Sequence, residues 1–143
     1  MKTIAGLFFL IVFAFASHNT YAIKAEILEK IFANISIGRE LVIYSDDEKL
    51  IQEFGKRGNF ATTALCKNAT LLVLQNKKKL EKSCYEKAVF VLGYDLLKEI
   101  PQSFGAIFWK KGRPNIVILA PRTKEQSITV SDTLEDYVEE KIW

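Results

Sequence analysis

The chain has 143 residues, about half of them apolar, which is enough for one domain with a real core and too few for two. Lysine and arginine number 20 against 17 aspartate and glutamate, a formal charge of +3. That balance is too even for a global field that draws the protein to nucleic acid or lipid, and no nucleic-acid partner is expected.

In chain order, Lys2 precedes an unbroken apolar or glycine run over 4–16, and the polar stretch 17–22 closes on a small residue, Ala22. This is the three-part form of a secretory signal peptide, with Thr20 and Ala22 at the two small-residue positions before the cut. The run falls short of the roughly 20 residues a permanent span needs, so no stable membrane span is expected after cleavage. Residues 1–22 therefore read as a signal peptide and 23–143 as a single exported domain, with the periplasm as its compartment. Cleavage also removes His18, the only histidine. Ser-His-Asp and Cys-His systems are then excluded, and neither an enzyme nor a cofactor is expected.

Residues 24–35 carry Ile27, Leu28, Ile31, Phe32 and Ile35 as a helical apolar stripe with charges opposite, ended by Gly38. A β-rich run, 41–44, follows. Ser45 with Glu48 forms a capping box for a helix through Phe54, stopped by Gly55 and Gly58. The adjacent carboxylates Asp46, Asp47 and Glu48 are explained by that cap, with a metal clamp as the sharper alternative. Runs 70–74 and 88–92 are continuously apolar, as strands buried on both faces of a parallel sheet are. The lysine-rich segment between them suits one or two helical turns, and Lys77, Lys78, Lys79 and Lys82 read as a solvated surface. Runs 105–109 and 115–119 form a β-hairpin around a longer, glycine-containing turn, with Pro114 at the start of the second strand. Ser131 is placed to cap a last helix over 132–142, with Leu134, Tyr137, Val138 and Ile142 on one face. The order of elements predicts a single compact α/β domain: a mixed, mainly parallel sheet with helices on both faces, then a C-terminal hairpin and helix.

Cys66 and Cys84 each precede one of the two buried strands. If those strands are parallel neighbours, the pair sits at one sheet edge within disulfide reach. A structural staple is the first reading; a redox-responsive bond or two free thiols remain open. With two cysteines, the usual four-ligand thiolate metal site cannot form in one chain. Around the hairpin turn, Phe108, Trp109, Lys110, Lys111 and Arg113 combine aromatic and cationic groups, the composition that interfaces favour. Trp109 can serve as the anchor of such a contact or as core packing.

The order of these motifs resembles the YfiR/HmsC-like family of small periplasmic proteins. Lys24, Ala25, Glu26, Ile27 and Leu28 with Phe32 resemble its opening helix, and Cys66 with 71–74 its cysteine-led central strand. Residues 89–93, 104–108 and 116–118 are similar to its strand, glycine-led hairpin and return strand, and 128–131 with Leu134 to its closing segment. Gly105 stands alone where the family has two glycines, and the tryptophan-proline pair after the first helix is missing. The resemblance implies a non-enzymatic regulator that restrains an inner-membrane diguanylate cyclase by binding its periplasmic part, with homodimer formation and disulfide state as further expectations. The alternative is a binding module for a small solute or anion at the carboxyl ends of the parallel strands, near Gly93, Tyr94 and Asp95.

Overall fold

A computed structural model describes residues 20–143. The signal-peptide assignment falls outside the described residues except for Thr20, Tyr21 and Ala22, which are helical and continuous with the first helix, α1, running to residue 32. The stripe read from the sequence is the buried face of α1: Ala25, Leu28, Ile31 and Phe32 are within the core. Ile35 lies past the helix in a two-residue strand, β1 (Ile35–Ser36).

The remaining elements are β2 (Val42–Ser45), α2 (Glu48–Arg57), β3 (Ala61–Thr62), β4 (Leu71–Leu74), β5 (Ala88–Val91), α3 (Leu96–Glu99), β6 (Ser103–Lys110), β7 (Arg113–Leu119), α4 (Ala120–Glu125), β8 (Thr129–Val130) and β9 (Val138–Glu139). Seven strands form one sheet in the order β3-β2-β4-β5-β6-β7-β9, and β1 pairs with β8 in a separate antiparallel ribbon. From β3 to β6 every pairing is parallel; β6 and β7 form the antiparallel hairpin, and β9 runs parallel to β7. The α/β class, the mostly parallel sheet and the hairpin match the sequence expectation.

The continuous apolar runs are explained by two cores, one on each face. Leu71, Val73, Phe90, Phe104 and Ile107 meet α1 and α2, where the ring of Phe32 contacts Phe54, Phe60 and Phe90. Leu72, Leu74, Val89, Val91 and Ala106 face the other way, toward Leu97 and Ile100 of the α3 region and both cysteines. Each aromatic pair contributes about 0.5–1.5 kcal/mol beyond its buried area. A register shift opposite Val89 and Phe90 inserts Phe104 as an extra residue in β6. Phe104 and Gly105 then both address the first core, and Gly105 makes room for the Phe90 ring: a Cβ there would lie 2.8 Å from a ring carbon and 2.8 Å from the Val117 carbonyl oxygen.

Four expectations are corrected. The cap of α2 is Asp47, whose carboxylate accepts from the Leu50 amide, while the Ser45 hydroxyl accepts from the Asp47 amide. The helix passes through Gly55 and ends at Gly58, which adopts a left-handed φ of 68° and donates its amide to the Phe54 carbonyl. The hairpin turn is a tight two-residue one: Lys110 pairs with Arg113, and Lys111 and Gly112 take φ of 53° and 75°. Finally, 132–142 is not a helix. Ser131 does cap, but what it caps is a 3-10 segment, Asp132–Tyr137, followed by β9. A helix would set Val138 and Ile142 on one face, whereas the strand sends Val138 to the first core and lets Ile142 reach the second. The unpaired edge of β7 supplies the backbone partners.

Among the described residues that edge is only partly used, since β9 pairs with Ile118 and Leu119 alone. Counting from the Lys110 and Arg113 pair that closes the turn, Pro114, Ile116 and Ile118 have backbone groups directed away from β6. Pro114 has no amide hydrogen to offer there.

Candidate functional site

The cysteines sit where parallel neighbours would put them. Leu71 pairs with Ala88, so the chain enters β4 and β5 side by side, each strand preceded by a short 3-10 turn, Cys66–Asn68 and Lys82–Cys84. Cys66 and Cys84 are disulfide-bonded, with α-carbons 6.2 Å apart, and both are buried in the second core. The carboxylate of Glu81, one residue before the second turn, lies beside them. Its oxygen and both sulfur atoms are all within 4.8 Å of one another. Glu81 escapes a sequence reading because only the fold brings Cys66 to it; the signal available was its position three residues before Cys84.

The hairpin residues divide between faces. Phe108 is half-buried in the second core, its ring packed edge-on against Tyr94 at 5.1 Å between centroids. Trp109 points to the opposite face and is 43% exposed, with the Lys24 ammonium 5.6 Å from its ring centroid. Trp109 is thus a surface residue leaning on the first turns of α1. Lys110, Lys111 and Arg113 are exposed at the turn. Four of the five predicted residues share the hairpin end, and Phe108 belongs to the packing beneath it.

The winding of the parallel strands reverses between β2 and β4, because the chain leaves β2 for β3 on one side and returns to β4 on the other. In doubly wound sheets that reversal, at the carboxyl ends, is where ligands enter. An open cleft of about 490 Å³ lies there, lined by Tyr44, Asp46, Glu48, Gln52, Thr63 and Lys79 among others. Of its two carboxylates, Asp46 is committed to the backbone, accepting from the amides of Gln75 and Asn76 at 2.8 and 2.9 Å, and Glu48 is exposed in the first turn of α2. Burial raises the Asp46 carboxyl above its ordinary value, against the lowering effect of those amides. Burial also raises the Tyr44 phenol, with the charges of Asp46 and Glu81 adding to it. At the carboxyl end of β5, where the sequence pointed, Gly93 and Tyr94 are half-buried and Asp95 is exposed. The Tyr94 hydroxyl accepts from the Trp143 amide at 2.7 Å, holding the end of the described chain beside it.

The other enclosed charges hold elements together. Glu29, buried on α1, accepts from the Arg57 guanidinium and from the Asn59 amide, which ties α1 to the end of α2. Arg122 donates to the carbonyls of Leu97 and Ser103 and so locks α4 onto the start of β6. A second open cleft, about 920 Å³, lies at the amino ends of β5 and β6 with lysines and glutamates interspersed. Among the described residues no helix is long and apolar enough to cross a membrane. Comparison with family models, curated proteins and solved structures finds no match to this chain.

Proposed function

We propose that the protein is an exported, non-enzymatic regulatory domain that binds a partner protein through the end of its β6–β7 hairpin. The observation that carries this reading is Trp109, a large aromatic residue nearly half exposed, with the Lys24 ammonium over its ring and the exposed Lys110, Lys111 and Arg113 in the adjoining turn. Exposed tryptophan beside arginine and lysine is the make-up of interface anchors, and a monomer gains little from leaving it in water. Export is supported by the leader-like residues 1–22 and by the disulfide, a bond that persists in oxidising compartments. The partner follows from the YfiR/HmsC-like resemblance: the periplasmic part of an inner-membrane diguanylate cyclase, which binding restrains. A solute-binding module is the less supported alternative. At the strand reversal Asp46 is occupied by backbone amides, and beyond β5 the Tyr94 hydroxyl is bonded to Trp143.

Trp109→Ala tests the proposal in two measurements. Unfolding stability is expected to change by less than about 1 kcal/mol, since the ring is largely outside the core. Binding to the periplasmic segment of the proposed partner cyclase is expected to weaken by roughly 2 kcal/mol, about thirtyfold. Unchanged binding by a folded variant would remove the hairpin from the contact.

A further inference from the structure

We infer that the Cys66–Cys84 pair, once reduced, forms with Glu81 a three-ligand site for a thiophilic divalent cation, Zn²⁺ above all. The two sulfur atoms and a Glu81 carboxylate oxygen are already mutually within 4.8 Å. A tetrahedral zinc centre, with bonds of about 2.3 Å to sulfur and 2.0–2.2 Å to oxygen, sets its ligand atoms roughly 3.5–3.8 Å apart. The donors are therefore inside the reach of one ion, and side-chain rotation is enough to part the sulfurs.

The backbone holds the donors in place independently of the disulfide. Cys84 donates its amide to the Glu81 carbonyl at 2.9 Å, and Ala69 donates to the Cys66 carbonyl at 3.0 Å, so each ligand hangs from a hydrogen-bonded turn. β4 and β5, four paired residues each, keep those turns adjacent. Among the described residues Glu81 makes no ion pair, and it is exposed while both cysteines are buried. This arrangement puts the thiolates on the protein side of an ion and leaves the solvent side, beyond Glu81, for a water as fourth ligand. Two thiolates and one carboxylate select zinc over calcium or magnesium, which prefer oxygen donors alone.

A dithiol reductant delivers two electrons and two protons to the Cys66–Cys84 bond and leaves as its own disulfide. The cation then displaces both thiol protons to solvent and binds two thiolates and the Glu81 carboxylate. Oxidised and metal-bound forms exclude each other, so the cation multiplies the ratio of reduced to oxidised protein by one plus its concentration over its dissociation constant.

The test uses the whole domain reduced on an immobilised dithiol resin, so that no free thiol competes. Titration with Co²⁺ is expected to give one ion per chain, with thiolate-to-cobalt absorption in the near ultraviolet that Zn²⁺ then abolishes. Glu81→Gln is expected to weaken Zn²⁺ binding by about tenfold or more, and the oxidised protein to show no such absorption. Absence of the band in reduced protein, or an affinity unchanged by Glu81→Gln, overturns the assignment. Should reduction unfold the domain, Zn²⁺ is expected to restore its near-ultraviolet circular dichroism. Failure to do so also overturns it.

Discussion

Gly105 is the residue at which the packing has least room. Its missing side chain is the space that the Phe90 ring fills, and the Val117 carbonyl closes the other side. Phe90 can turn only by disturbing Phe32 and Phe104, which it contacts edge-on, and a backbone carbonyl in a ladder does not move cheaply. Gly105→Ala is therefore expected to cost about 1–3 kcal/mol in urea denaturation, as overpacked cores do. A variant as stable as the parent would mean that the sheet bends to absorb the methyl group. The sequence marks Gly105 as a punctuation of the hairpin. It does not reveal the reason, which lies in the extra residue Phe104 and in a ring that arrives from another strand. Trp109 is a similar case: its composition is readable, but whether it points inward depends on the parity of β6, which that bulge shifts.

At the scale of elements, Asp46 is the fastening between the end of β2 and the end of β4. Its two carboxylate oxygens hold successive amides at the point where the winding reverses. Burial raises its pKa in the folded state, so the folded protein binds the proton more tightly than the unfolded chain. Its contribution to stability is then full below the unfolded carboxylate value, near 3.9, and is lost as pH rises through the raised one. In Asp46→Asn that dependence disappears, along with one accepted hydrogen bond worth about 1 kcal/mol. The stability advantage of the parent over the variant is expected to shrink as pH rises from 4 toward 7 in urea titrations. An advantage that grows with pH would show the opposite shift. Elements with a strong apolar period were legible: α1, β4, β5 and both hairpin strands sit within a few residues of their expected places. The short α4 went unread because Pro121 and a six-residue span carry no period. The last segment was misread because Leu134, Val138 and Ile142 fit a helical face as well as they fit a turn followed by a strand, and only the vacant edge of β7 decides between them.

For the whole molecule, the disulfide closes a separation of 18 residues, which restricts the unfolded chain by about 3 kcal/mol on the loop-entropy account. A Cys66→Ala, Cys84→Ala double variant is expected to melt roughly 10 °C lower while keeping the far-ultraviolet spectrum of the parent. An unchanged melting temperature would place the bond outside the structure that limits unfolding. The pairing was legible because each cysteine leads a buried run and parallel neighbours begin together. The companion carboxylate was not, since no local pattern predicts which side chain a distant cysteine will meet. The outer edge of β7 has a consequence for the protein in a crowded compartment. Between the turn and β9, a passing strand would find the Ile116 amide and, next along, the ring of Pro114. A single donor is too short a template for chain-to-chain stacking, so the edge left open among the described residues does not seed fibrils.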